Sequence, residues 1–310
     1  MRKSGRKSRR RMVAIVKEQA SLQIMALMGV SWLVIFCYLP MPGLWIAFSD
    51  YKLSRGIFEA PWAGFKYFAE FVTDRNILQA IRNTLGISVL NITIGFTAPI
   101  LFALLINDLP GRKFKRTVQT VSYLPHFVSW VILGGFMITW FSEAGLVNDL
   151  LRRTGLTKEP IYLLGEAKYF WGVAVGSGIW KEMGWGAIIY IAAMAGIDPE
   201  LYEVAVTEGA NWFHRVWYIT LPCIKPTIAI LFIFSVSGML NSSFDQIYVL
   251  KNALNSDTST VLDIYTYQVG IKQGRFSYSA AVGLLKSVVA FLLLLIANKG
   301  SEKLAEASLF

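Results

Sequence analysis

Six stretches of this chain stay apolar for about 20 residues, and nothing else in it so limits the fold. They lie at about 22–46, 79–106, 118–141, 169–195, 227–249 and 279–298. A helix needs roughly 20 predominantly apolar residues to cross the hydrocarbon core of a bilayer. In lipid every backbone N–H and C=O must find a partner inside the structure, and an α-helix satisfies them alone. Membrane strands would alternate apolar and polar residues over about ten positions, and these runs do not alternate. Of 310 residues, 55% are hydrophobic and 16% charged, whereas soluble domains are about 25% charged. The expectation is an all-α, polytopic membrane protein with six transmembrane helices. Pro40, Pro42, Pro99 and Pro125 fall within or near the runs and should kink helices that neighbours then support.

Lysine and arginine set the orientation. Arg2, Lys3, Arg6, Lys7, Arg9, Arg10, Arg11 and Lys17 precede the first run against Glu18, and Arg112, Lys113, Lys115 and Arg116 follow the second against Asp108. Between the first and second runs, Lys52, Arg55, Lys66 and Arg75 are balanced by Asp50, Glu59, Glu70 and Asp74. Cytoplasmic loops are the ones rich in Lys and Arg, so both termini are expected in the cytoplasm. Residues 1–20 then form a basic cytoplasmic segment and residues 21–310 a transmembrane domain with a cytoplasmic loop at about 196–226. The start MRKSGRKSRRR is like the first part of a signal peptide. The apolar run behind it is too long and lacks a small-residue cleavage site, so it reads as an uncleaved first span. A nucleic-acid-binding arm is the rival reading, set aside because the basic run abuts a span. Cys37 and Cys223 read as unpaired, and His126 and His214 are too isolated for a zinc site. No metal is expected.

The loop at 196–226 is acidic for its side of the membrane, with Asp198, Glu200, Glu203 and Glu208 against Arg215 and Lys225. Asp198-Pro199-Glu200 is a helix start: Asp caps, Pro suits the first helical position, and Glu complements the dipole. Gly209 is a helix stop. The helix between them puts Leu201, Val204, Ala205 and Glu208 on one side and Glu200, Glu203 and Thr207 on another. A helix this short is marginal alone and must pack on something. Trp212, Phe213, Val216 and Trp217 then make an aromatic face suited to the membrane interface, before Leu221-Pro222 and Pro226 turn the chain into the fifth span. Two readings stay open on these grounds: a plain amphipathic connector, or a docking helix for a cytoplasmic partner.

The stretch EVAVTEGA followed by ITLP resembles the EAA loop of permease subunits from binding-protein-dependent ABC importers. That pattern is E-A-A-x-x-D-G-A, nine loosely matched positions with a preferred phenylalanine, then L-P. Glu203, Ala205, Gly209, Ala210, Ile219, Leu221, Pro222 and Pro226 fall in place. Val204 stands for an alanine, Glu208 for the aspartate and Val216 for the phenylalanine. KFKRTVQTVSYLPHFVSWVILGG, IWKEMGW, AGIDPELYE, FDQIY, FSYSAAVGL and the ending AEASLF are similar to the sugar-permease branch that handles oligosaccharides or polysaccharide fragments. The resemblance implies a type I importer of the bacterial plasma membrane. Its partners would be a second, different permease, two cytoplasmic ATPases, and an extracellular or periplasmic solute-binding protein that delivers carbohydrate. The helix at about 199–209 would be the coupling helix. It would dock through Glu200, Leu201, Glu203, Val204, Ala205, Glu208, Gly209 and Ala210, with Leu221 and Pro222 behind it. Glu203 would anchor it, and Gly209 would set its exit angle.

The chain has no G-x-x-x-x-G-K-[ST] phosphate loop, so it should bind no cofactor itself; ATP with magnesium would sit in the partner ATPase. Polar residues inside spans are costly and tend to line cavities. Trp180, Lys181 and Glu182 in the fourth run, Asn241, Phe244, Asp245 and Gln246 near the outer end of the fifth, and Lys286 in the sixth are the substrate-path candidates. Aromatic rings could stack on sugar faces while polar groups bond hydroxyls. The competing reading is structural: Lys181 and Glu182 neutralise charges across helices, and Asp245 sits at the outer water boundary. A secondary transporter with no ATPase is the alternative function. Without HExxH or GxSxG, an enzyme is not expected.

Overall fold

The computed structural model describes residues 19–54 and 56–305. The basic residues before Gln19, Arg55 and the residues after Ala305 lie outside them. Among the described residues the chain is helical, with one isolated antiparallel bridge between Ser49 and Trp62.

The first helix, α1 (Ala20–Leu33), continues through a π turn at Val34–Tyr38 and, past Pro40, a 3-10 stretch at Met41–Phe48. A short helix, α2 (Lys66–Thr73), leads to α3 (Arg75–Leu90), which a π turn at Asn91–Gly95 joins to α4 (Thr97–Asn107). Next come α5 (Arg112–Tyr123) with a 3-10 turn at Leu124–Phe127, α6 (Trp130–Trp140), α7 (Leu146–Arg153) and α8 (Phe170–Ala195). Helix α9 (Pro199–Thr207) precedes α10 (Trp212–Arg215), a π turn at Val216–Thr220 and α11 (Leu221–Ser237). The chain ends with α12 (Phe244–Leu250), α13 (Ser256–Ser259), α14 (Leu262–Tyr267) and α15 (Phe276–Ala305).

Among the described residues, four helical stretches are long and apolar enough to cross a membrane: Ala20–Phe48, Arg75–Asn107, Trp212–Ser237 and Phe276–Lys303. The pair Arg112–Phe127 and Trp130–Trp140 makes a fifth if counted as one span. Helix α8 has 26 unbroken residues, about 39 Å at 1.5 Å per residue, but the charged Lys181 and Glu182 interrupt its apolar run.

Two of the expected spans differ from the structure. The third, at 118–141, is two limbs bent by 101°. Pro125 starts a 3-10 turn, Val128 and Ser129 are extended, and Ser129 caps the new helix by accepting the Ile132 N–H. The fifth, expected at 227–249, lies on a helix that runs from Trp212 and stops at Ser237. Leu221-Pro222 does not turn the chain, because the π turn at Val216–Thr220 carries the helix through. That wider turn accommodates the ring of Pro222, which would otherwise meet the carbonyl four residues back. At the other end Gly238 and the polar run Asn241-Ser242-Ser243 favour a break over a helix, and α12 is separate.

Three apolar clusters lie along the bundle. One joins α4, α8 and α11 through Ile100, Leu104, Tyr190, Met194 and Ile224. A second joins Ile87, Met137, Phe170, Ile247 and Ile264. The third joins α3, α14 and α15 through Ile77, Ala80, Leu262, Tyr265 and Tyr278. Beside the third, Asp74 caps α3 by accepting the Asn76 N–H at 2.9 Å, and the Tyr265 and Tyr278 hydroxyls donate to its carboxylate. Burial works against that charge, but the hydroxyl and backbone bonds outweigh it and hold Asp74 below the usual carboxylate range. Burial and the bond to Asp74 push the Tyr265 phenol up to about 12.

Helix α8 is the hub, packed against α3, α4, α5 and α11. Its crossing with α5 depends on Gly184: a Cβ there would lie 2.1 Å from the Ser122 carbonyl oxygen. Small residues let membrane helices approach this closely. Gly184→Leu is expected to push the two helices apart, at a cost of about 1–3 kcal/mol or more. Thermal unfolding of the detergent-purified assembly checks this, and an unchanged midpoint would contradict it. Helix α1, by contrast, has no buried residue.

Candidate functional site

Two regions hold the candidate functional residues. The first is α9. Asp198 accepts the Glu200 N–H at 3.0 Å and Pro199 takes the first turn. At the other end Gly209 adopts φ +78°, a region that side chains disfavour. The Gly209 N–H donates to the Val206 carbonyl at 3.0 Å and the Ala210 N–H to the Ala205 carbonyl at 2.8 Å. That paired bonding is the Schellman ending, which satisfies the last carbonyls of a helix.

The helix so defined has no buried residue. Tyr202 and Ala205 are half-buried, and the Tyr202 hydroxyl lies 2.9 Å from Thr220 Oγ1, tethering α9 to the π turn before α11. On the outside, Leu201, Val204 and Val206 are 47%, 61% and 56% exposed, alongside exposed Glu200, Glu203 and Glu208. This nine-residue helix therefore carries three exposed apolar side chains among carboxylates, and a helix so short is marginal unless it packs on something. Leu221 packs inward on the α4–α8 cluster and Pro222 is exposed in the next helix; neither belongs to that outer face. Trp212 and Val216 are half-buried, while Phe213 and Trp217 are exposed.

The second region is a cavity of about 440 Å³ within the bundle, walled by Asn91, Phe96, Trp130, Glu182, Tyr190 and Gln246, with Ser235 and Ser243 also on its lining. The π turn at Asn91–Gly95 opens α3 into it; such bulges often mark functional sites. Gln246 is held rigidly, its Nε2 donating to the Ala174 carbonyl at 2.6 Å and to Ser177 Oγ at 2.9 Å. Aromatic faces beside amide, hydroxyl and carboxylate groups suit a polyhydroxylated solute. Among the described residues no group of three His, Cys, Asp or Glu is placed to hold a metal ion.

Behind the cavity wall a charged network ties α8 to the elbow between α5 and α6. The elbow leaves the His126 carbonyl without a helical partner. Buried Lys181 donates to it at 2.6 Å and to Glu182 Oε1 at 3.0 Å. A cation is favoured at this end of a helix. Glu182 Oε2 also lies 2.6 Å from His126 Nδ1, and the His126 ring stacks on Trp185 at 4.3 Å.

Of the residues expected on a substrate path, Glu182 and Gln246 line the cavity. Lys181 stands behind the wall. Trp180 is half-exposed and edge-on to Trp140. Asn241 is exposed in the break after α11, and Asp245 is exposed on α12. Phe244 stacks on Tyr248 at 5.3 Å. Lys286 is paired with Asp263, whose other oxygen accepts the Ser242 N–H at 3.0 Å, pinning that break. Sequence reasoning missed Asn91, Trp130, His126, Tyr190 and the tether Tyr202. Only Pro125 hinted at an elbow beside His126.

Residues 75–301 match the family described as binding-protein-dependent transport system inner membrane component. Protein LplB of Bacillus subtilis is 40% identical over 299 residues, 96% of this chain and 93% of that protein. The polygalacturonan/rhamnogalacturonan transport system permease protein YteP of the same organism is 38% identical over 306 residues, 98% and 95% of the two chains. A chain in the crystal structure of a bacterial ABC transporter that imports the acidic polysaccharide alginate superposes with a TM-score of 0.85. It is 36% identical, with 95% of this chain and 99% of that one covered. A chain of the bacterial alginate ABC transporter in complex with an alginate pentasaccharide-bound periplasmic protein gives 0.86 at 35% identity, with 96% and 100% covered.

Proposed function

The chain belongs to the family of binding-protein-dependent transport system inner membrane components, and from that premise we propose that it is the permease subunit of an ATP-driven importer of oligosaccharides. It is a transport component rather than an enzyme, and the family sets aside a secondary transporter that needs no ATPase. The observation that carries the mechanism is the exposed, doubly capped α9. It is the coupling helix, seated in a cytoplasmic ATPase through exposed Leu201 and Val204, with half-buried Ala205 at the edge of that face and Glu200, Glu203 and Glu208 around it. ATP with magnesium is bound in that partner. Closure of two ATPases moves the helices as levers on the spans, alternating access by rigid-body movement.

The lysine and arginine distribution supports six spans with both termini in the cytoplasm of a bacterial cell. The elbowed pair is then the third and α8 the fourth. The unburied α1 supports a second permease packed beside it. A solute-binding protein outside delivers the carbohydrate, a reading supported by the alginate importer's own periplasmic protein. The cavity supports passage of a sugar, with Trp130 as a stacking face and Glu182 and Gln246 bonding hydroxyls.

Uptake into proteoliposomes holding the complete importer tests the cavity, using alginate, polygalacturonan and neutral oligosaccharides. Gln246→Ala, which removes a held hydrogen-bonding group worth about 1–3 kcal/mol, is expected to slow uptake of the transported sugar by about tenfold. Uptake and preference identical to wild type would remove the cavity from the path.

A further inference from the structure

On the outside of the bundle, between α11 and α15, runs an apolar groove of about 450 Å³. Its walls include Phe232 and Val236, and its floor is made of small residues, Ala229, Ala297 and Gly300. Phe96 closes one side, edge-on to Phe232 at 5.5 Å. Among the described residues on the lining, the single charged one is exposed Lys225, with no acid beside it.

We propose that this groove binds one anionic glycerophospholipid of the cytoplasmic leaflet, with an acyl chain along Ala229, Phe232 and Val236 and the headgroup phosphate on Lys225. The inference rests on the orientation proposed above, which puts α9, α10 and the π turn on the cytoplasmic side and Lys225 at the cytoplasmic interface, just before the apolar run that starts at about 227. Length favours a lipid over a helix. Lys225 to Val236 is about 16 Å of helix at 1.5 Å per residue. One leaflet contributes about 15 Å of the hydrocarbon core, whereas a spanning helix needs a seat of about 30 Å. Charge points the same way, since a lone cation at headgroup depth with an apolar trough behind it matches an anionic lipid. Phe96 lines both the groove and the central cavity, so one ring separates the lipid chain from the transport path.

Native mass spectrometry of the assembled importer, extracted from bilayers of equal phosphatidylglycerol and phosphatidylcholine, tests the site. Wild type is expected to retain phosphatidylglycerol about fivefold over phosphatidylcholine, the preference conferred by one lysine near an anionic surface. Lys225→Gln should lower that retention to the phosphatidylcholine level. Ala229→Trp, which fills the trough and keeps the cation, should lose the bound lipid of either kind. Equal retention in wild type, or unchanged retention in both variants, would overturn the proposal. So would a cross-link from Val236→Cys to the second permease, which would give the groove to a partner helix. ATP hydrolysis by the same complexes separates the two readings: coupled hydrolysis without lipid preference sinks the lipid site alone.

Discussion

Gly209→Pro is expected to leave the protein in the membrane, assembled with its partners, and to abolish uptake. Proline locks φ near −65°, whereas Gly209 sits at +78°, and proline has no N–H to give the Val206 carbonyl. The Schellman ending is lost, and with it the direction in which the chain leaves α9. A misplaced proline costs about 3 kcal/mol, which is about a hundredfold in the population of correctly presented helices. Substrate-stimulated ATP hydrolysis should fall with uptake, since both need the helix in its socket. Gly209→Ala, which keeps the N–H and meets only the left-handed penalty of about 1–2 kcal/mol, should lose about tenfold. Wild-type uptake by the proline variant would show that the exit from α9 does not matter to coupling.

Lys181→Met carries the second large effect. It strips the donor from the His126 carbonyl and the cation from Glu182 in one step. Removing one partner of a buried pair typically costs about 3–5 kcal/mol. The lower figure is expected here, because the Glu182 side chain is 47% exposed and water can solvate it. For a chain of this size that is a fall of roughly 5 °C in unfolding midpoint. The elbow between α5 and α6 should loosen first. Lys181→Met combined with Glu182→Gln should recover part of the loss, since no bare carboxylate is then left behind. A single variant as stable as wild type, measured by thermal unfolding of the complex, would show that the elbow does not depend on Lys181.

How much of this was legible in the sequence depended on range. The ends of α9 were readable because Asp198-Pro199 and Gly209 act on their own neighbours. The apolar runs found the four long apolar helices and the bent pair for the same reason. Averaging over 20 residues, however, hid the break after Gly238, where three polar residues end one helix and Ser243 precedes another. The π turn before Pro222 was invisible, since a proline says that a helix is stressed and not how it yields. The cavity needed more still. Lys181 and Glu182 are adjacent, so they point about 100° apart on α8. One faces the elbow and the other the cavity, and their partner His126 lies more than fifty residues earlier. Contacts of that separation leave no local pattern, so flagging the pair as costly inside a span identified the residues without dividing their positions.

Site-directed cross-linking from α9 is the most direct measurement of the central claim, that this helix is what the ATPase holds. Cys37 and Cys223 are both exposed and unpaired, so they are first replaced by serine. Val204→Cys, at a side chain 61% exposed on the outer face, is compared with Trp217→Cys, 68% exposed on the neighbouring interfacial segment. In the assembled importer the Val204 variant is expected to form an adduct with the cytoplasmic ATPase, and the Trp217 variant none. No ATPase adduct from Val204, or equal adducts from both positions, would contradict the account.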